Sequence, residues 1–228
     1  MATTLSDPDV QSFSIRREQR TFTSHDGTAI AYRAWIPARA SKGVLLFHRG
    51  HEHSGRLADL VTDLGLLEQD VALFAWDARG HGLSPGERGW APDLATIVQD
   101  VQSFADHIRD TYHIPTHDLA VLAHSVGSVI AAAWVHDYAP PIRGMVLVAP
   151  AFRVRLYVPF ALPALRVLQW WKGPQRKSFV KSYVRGRMLT HDPAQAHAYD
   201  TDPLISRQIA VNILLDLHDT STRLLADA

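Results

Sequence analysis

The sequence predicts an α/β protein with a mostly parallel sheet, an antiparallel hairpin at its start and helices on both faces. Three observations carry this. Short apolar runs at 43–48, 71–76, 119–123 and 145–149 have the length and composition of strands covered on both faces. The segments between them place apolar residues at helical spacing. An Asp26-Gly27 turn signal separates two strand-like stretches ahead of the first run. Strands that alternate with helices pair in parallel through right-handed crossovers.

The elements follow in order. Residues 14–22 and 28–35 flank His25-Asp26-Gly27 as a hairpin. The run 43–48 is the first buried strand, and Ser54 is placed to cap a helix reaching about Glu68. The run 71–76 ends at Asp77. Pro92-Asp93 opens a long helix to about Tyr112, in which Leu94, Ile97, Val98, Val101, Phe104, Ala105 and Ile108 share one face. A strand at 119–123, a helix at 126–136 and a strand at 145–149 complete the series. After Pro150 the rhythm breaks into prolines, tryptophans and basic residues, an irregular helical insertion, and 204–225 reads as helical again. The expected division is therefore a core at 1–152, a cap or lid at 153–203 and a helix returning to the core at 204–228.

Composition sets the bounds. With 228 residues, 46% hydrophobic and 20% charged, the chain suits one globular domain. The absence of cysteine excludes disulfides and thiolate metal sites. The first twenty residues hold no apolar signal-peptide core, and no apolar run reaches membrane-spanning length, so a cytoplasmic protein is expected. Net charge is zero but uneven. From Ala151 to Thr190 there are nine Lys or Arg and no Asp or Glu, which leaves minus nine on the rest of the chain. An anionic partner for that basic segment is one reading; pairing with acids elsewhere is the simpler one.

Three motifs carry chemistry. Ala123-His124-Ser125-Val126-Gly127 sits where a strand ends and a helix begins. A serine nucleophile needs such a place: a sharp, strained turn with small flanking residues that pushes the hydroxyl out at the top of the sheet. The helix that starts at Val126 offers free N–H groups to a developing oxyanion. A serine that merely caps this helix is the alternative. The second motif, His48-Arg49-Gly50-His51-Glu52-His53-Ser54-Gly55-Arg56, follows the first buried strand. Gly50 can approach a substrate closely enough to supply a second oxyanion N–H. The three histidines lack metal-ligand spacing and read as braces for the turn, so no metal or cofactor is expected. The third, Asp77-Ala78-Arg79-Gly80-His81-Gly82-Leu83-Ser84, reads as structural, with Asp77 and Arg79 fixing the loops beside the turn.

Together these motifs resemble the α/β-hydrolase superfamily, and within it the serine aminopeptidase S33-like branch that includes monoacylglycerol lipases and lysophospholipases. The resemblance covers residues 21–151 well. It implies a serine hydrolase acting on carboxylic esters of monoacyl lipids, with Ser125 as nucleophile and the N–H groups of Gly50 and Val126 as oxyanion hole. It implies a small-molecule ester partner and no nucleic acid. There are departures. Ala123 replaces the usual glycine of the turn. The branch has His-Gly-x-Gly where this chain reads His48-Arg49-Gly50-His51, a variant similar to a bacterial subgroup with some members fused to a methyltransferase; this chain has no glycine-rich nucleotide motif.

In this superfamily an acid and then a histidine follow the serine, on loops after two further strands. Those strands do not occur by residue 228, and His136, His191, His197 and His218 follow no strand. A chain truncated at its C-terminus, lacking the triad acid and base and catalytically deficient, is therefore the alternative expectation. Two surfaces are expected to bind: the segment 153–187 at an anionic membrane, and the strand 145–149, as an apolar sheet edge, on another copy.

Overall fold

The computed structural model describes residues 14–153, 161–172 and 177–227. A six-stranded sheet is built from β1 (Ile15–Thr23), β2 (Ala29–Pro37), β3 (Lys42–Phe47), β4 (Val71–Trp76), β5 (Leu119–His124) and β6 (Gly144–Val148) in the order β1-β2-β4-β3-β5-β6. β1 and β2 form the predicted hairpin, with Thr23 opposite Ala29, and β2 runs antiparallel to β4. The pairs β3–β4, β3–β5 and β5–β6 are parallel.

The period of two sorts side chains onto the two faces. Leu45, Phe47, Phe74 and Trp76 belong to one cluster, and Leu46, Leu73 and Ala75 to the other. The first cluster packs against α2 (Leu94–Tyr112), α3 (Val126–Tyr138) and α6 (Val211–Ala226) through Ile97, Val101, Phe104, Trp134 and Leu217. The second packs against Leu57, Val61 and Leu67 around the short α1 (Ala58–Asp63). Helices thus cover both faces, as alternating strands and helices require. Asp93 caps α2 by accepting the Thr96 N–H at 2.7 Å, and all seven predicted apolar positions of α2 are buried.

The region from Ser54 to Glu68 departs from the expected single helix. It is a 3₁₀ turn (Ser54–Leu57), α1, and a second 3₁₀ turn (Leu67–Gln69). The capping residue is His53, whose Nδ1 accepts the Gly55 N–H at 3.2 Å; Ser54 is instead the first residue of the 3₁₀ turn, and its N–H donates to Asp77 at 2.6 Å. Beyond β6 the chain forms α4 (Ala161–Lys172), β7 (Phe179–Lys181), a 3₁₀ turn, α5 (Pro193–Thr201), β8 (Gln208–Ala210) and α6. The antiparallel β7–β8 pair was not expected, and it shortens the predicted final helix to start at Val211. Three-residue strands carry too little alternation to show in a sequence.

Candidate active site

β5 delivers His124 to the end of the sheet, α3 begins at Val126, and Ser125 makes the whole turn between them. Its backbone lies at φ 56°, ψ −116°, outside every region open to an ordinary L-residue. The turn is held from both sides. Ser125 N–H donates to the Val148 carbonyl at 3.0 Å, and the Ser125 carbonyl accepts from Ser128 N–H at 3.1 Å and Ala151 N–H at 3.2 Å. A Cβ on Gly127 would stand 2.7 Å from the His48 carbonyl oxygen, so this position admits glycine alone. The Ser125 side chain caps nothing: it makes no hydrogen bond to the helix it precedes. That sets aside the capping alternative.

The loop after β3 lies against the turn. A Cβ on Gly50 would come within 2.9 Å of Val126 Cγ2, so the absence of a side chain at Gly50 lets the two segments meet. His48 is buried. Its Nε2 accepts the Ala78 N–H at 3.1 Å, so Nδ1 carries the proton and donates to the Arg49 carbonyl at 2.7 Å. Burial pushes its pKa down and keeps the ring neutral. The Arg49 carbonyl also accepts the Glu52 N–H at 3.0 Å. A trans peptide is planar, so pinning that carbonyl fixes the direction of the Gly50 N–H at the other end of the same peptide. The Gly50 carbonyl in turn faces His81 Nε2 at 2.7 Å.

Two of the three loop histidines therefore brace the turn as expected. His48 does so through Ala78 and Arg49, and His53 through Nε2, which donates to Asp202 at 2.9 Å. Burial raises the Asp202 carboxyl, but hydrogen bonds from His53 and the Leu204 N–H outweigh it and leave the pKa below the ordinary value. His51 differs: its Nδ1 is buried without a partner, and burial, with His81 and Arg207 nearby, lowers its pKa to about 4. Its carbonyl accepts the Ser206 N–H at 2.9 Å, so the loop is tied to the segment that precedes α6.

Asp77 does what the motif implied. Its carboxylate accepts Ser54 N–H at 2.6 Å and Leu83 N–H at 2.8 Å, joining the loops after β3 and β4. Arg79 does not reach the turn. It forks onto the buried Asp100 of α2 at 2.6 and 2.7 Å and reaches Asp26 and Thr28 at 2.8 Å, anchoring the hairpin instead.

Ser125, Gly50 and Val126 line one mostly apolar cavity of about 360 Å³. Its far wall comes from segments in which no motif marks the lining residues: Val180 and Lys181 of β7, Tyr199 of α5, and Leu214 and Leu217 of α6. Sequence reading missed these side chains, and Arg49, His51 and Glu52 as lining groups. Their signal is the tertiary return of α6, which has no local counterpart. None of His136, His191, His197 and His218 lines this cavity. His136 faces Asp137 and Asp227 instead.

The pattern of the family described as Serine aminopeptidase, S33 matches residues 38–228. The chain is 51% identical over 209 residues to the uncharacterised protein YnbC of Escherichia coli K12, covering 91% of this chain and 35% of that protein. It is 31% identical over 188 residues to the monoglyceride lipase of Mus musculus, covering 80% of this chain and 58% of the lipase. It thus spans between about a third and two thirds of the length of these relatives and of the monoacylglycerol lipase of Mycolicibacterium smegmatis. A soluble variant of the monoglyceride lipase of Saccharomyces cerevisiae has the same fold, with a TM-score of 0.73 at 18% identity over 99% of this chain and 74% of that one. The elbow at Ser125, the loop at Gly50 and the match over 38–228 agree: the chain belongs to the serine aminopeptidase S33 family and has the α/β-hydrolase fold.

Proposed function

We propose that the chain carries the nucleophile and oxyanion hole of a serine hydrolase acting on carboxylic esters of monoacyl lipids. The observation that carries this is the strained turn at Ser125, whose uncapped hydroxyl borders an apolar cavity. Backbone strain of this kind costs about 1–3 kcal/mol and persists where the surroundings over-determine it, as at nucleophiles. Ser125 Oγ attacks the ester carbonyl, and the N–H groups of Gly50 and Val126 hold the oxyanion. Val126 opens α3, so its N–H has no intrahelical acceptor. The apolar wall takes the acyl chain. Residues 153–203 act as a cap over a core at 1–152, and 204–228 return the chain to that core. The lipases among the relatives support the ester and the monoacyl chain. The test is labelling by a fluorophosphonate: the native chain reacts and Ser125→Ala does not. Equal labelling of both would refute the assignment.

A second reading is favoured by one observation: no histidine that follows Ser125 lines its cavity among the described residues. By this reading the chain alone is a deficient hydrolase, since loss of triad members removes about four to six orders of magnitude in rate. Robust turnover of p-nitrophenyl butyrate that disappears in Ser125→Ala would refute it. The cap also offers a lipid-facing surface. On α4, Trp170 and Trp171 are 83% and 79% exposed. Aromatic side chains beside a basic segment suit an anionic interface. Co-sedimentation with anionic vesicles that falls with salt is expected; indifference to lipid charge and salt would remove the electrostatic part. Among the described residues, no helix is long and apolar enough to cross a membrane.

A further inference from the structure

We infer that His81 is a positioning residue for the oxyanion hole: it holds the peptide that follows Gly50, so that the Gly50 N–H stays aimed at an ester bound at Ser125. This rests on the reading of Ser125 as nucleophile and of Gly50 as oxyanion donor. The third sequence motif predicts that Asp77 and Arg79 fix the loops beside the turn. Arg79 turns away to Asp100, and it is His81 of the same motif that reaches the loop after β3.

Gly50 joins two planar peptides, and with no side chain it restrains the rotation of neither. The peptide before it is held through the Arg49 carbonyl, which accepts His48 Nδ1–H at 2.7 Å and the Glu52 N–H at 3.0 Å. The peptide after it is held through the Gly50 carbonyl, which faces His81 Nε2 at 2.7 Å from 31 residues away. Packing leaves a gap here: a space of about 30 Å³ is bordered by His48, Gly50, His81 and Val126. The support under His81 is firm. Its N–H donates to the Ala78 carbonyl at 2.9 Å, and its carbonyl accepts the Ser84 N–H at 3.0 Å. Its ring lies against that of His48, with centroids 5.3 Å apart.

Two carbonyls face the two ring nitrogens, Arg79 at Nδ1 (2.8 Å) and Gly50 at Nε2. Burial, with His48 beside it, lowers the pKa of His81 to about 4, so near neutral pH the ring has one proton for both. That proton belongs on Nε2. The Arg79 carbonyl lies two residues back, and the chain itself keeps it near the ring. Gly50 belongs to another loop, and lone pairs facing each other at 2.7 Å would drive the two loops apart. An oxyanion donor acts at about 2.7–3.1 Å, and a misplacement of about 1 Å costs about 100-fold in rate.

The test is the rate at which an alkyl fluorophosphonate labels Ser125 in the full chain. Ser125 Oγ bonds to phosphorus, fluoride leaves, the hydroxyl proton passes to water, and the phosphoryl oxygen occupies the oxyanion hole. A concentration series separates the limiting rate constant from the half-saturation concentration. His81→Leu, which fills the space without a donor, is expected to lower the limiting rate about 10- to 100-fold and to leave half-saturation within about twofold. His81→Gln, whose amide N–H can stand where Nε2–H does, is expected to restore the rate to within about fivefold of native. An unchanged limiting rate in His81→Leu, a loss confined to half-saturation, or a His81→Gln as slow as His81→Leu overturns the positioning role and leaves Ser125 standing. Ring-nitrogen NMR of the native chain reads the tautomer without any substitution: a proton on Nε2 and a bare Nδ1 support the role, and the reverse overturns it. A native chain that is not labelled at all overturns the reading of Ser125 itself.

Discussion

Replacing Ser125 by glycine should make the protein more stable while abolishing the proposed nucleophile. At φ 56°, ψ −116° an L-residue has its Cβ in conflict with its own backbone, whereas glycine does not. Relief of strain is worth about 1–3 kcal/mol. Against it stands the extra entropy that glycine loses on folding, about 0.5–1 kcal/mol. The net is a gain of about 1 kcal/mol, or roughly 2–4 °C in Tm for a domain of this size. No capping bond is lost, because the hydroxyl makes none. Ser125→Ala is the control: alanine keeps the Cβ and the strain, so it should lie within about 0.5 kcal/mol of the native chain. Urea unfolding of the three proteins, followed by tryptophan fluorescence, measures the difference. Glycine at or below alanine in stability would refute the strain argument, and with it the geometric basis for reading Ser125 as a nucleophile.

Other outcomes follow from the same geometry. Gly127→Ala should cost about 1–3 kcal/mol, since its Cβ meets the His48 carbonyl and Phe47 in a buried backbone that cannot give way; a loss under 0.5 kcal/mol in urea would refute this. Asp100→Asn should cost about 3–5 kcal/mol by leaving the Arg79 guanidinium buried without its forked partner, and Tm within 2 °C of native would count against it. Stability should fall as pH drops from 6.5 toward 4, because burial holds His51 and His81 to about 4 and the unfolded chain takes up those protons first. Asp216, whose carboxyl burial raises, works against this trend; Asp26, held well below its ordinary range by Arg79, contributes only at lower pH. His51→Gln should shrink the acid loss by about 1–3 kcal/mol, and an unchanged pH profile would show that His51 is not held neutral.

The parts of the fold that show in the sequence are those fixed locally. The α2 stripe repeats every three to four residues over nineteen positions, and its cap Asp93 precedes it directly, so pattern and boundary agree. The Asp26-Gly27 turn and the buried runs of β3, β4 and β5 are equally local. The turn at Ser125 shows because the sheet-to-helix switch and Gly127 are both steric requirements. What stayed hidden is set by partners distant in sequence. Ser54 looks like a cap, but the turn starts one residue earlier than expected, with Ser54 N–H held by the distant Asp77, and His53 is the cap. Arg79 looks like a neighbour of the turn at Ser125, but it is held by the buried Asp100 and by Asp26 of the hairpin turn, 21 and 53 residues away in sequence. The lining of the cavity by β7, α5 and α6 depends on how the chain returns after 153, and no residue there advertises it.

The two edges of the sheet are built differently, and that difference has a consequence for association. β1 is one edge, and it carries Arg16, Arg17, Glu18 and Arg20, with Glu18 paired to Arg16 and Arg20 at 2.9 Å. Charges on an edge strand discourage pairing with another chain. β6 is the other edge and reads Gly-Met-Val-Leu-Val, with Val146 58% and Val148 43% exposed. Among the described residues no strand pairs with its free side. Five residues of unpaired, apolar backbone are a template for strand addition. The protein should therefore self-associate with rising concentration, and Val146→Lys should suppress this by placing a charge on the exposed edge. Ser125 N–H bonds to the Val148 carbonyl at the end of this strand, so the same edge also bears on the turn at Ser125. Light scattering across a concentration series decides the matter: a native chain that stays a monodisperse monomer at high concentration, or aggregation that Val146→Lys leaves untouched, would refute β6 as the contact.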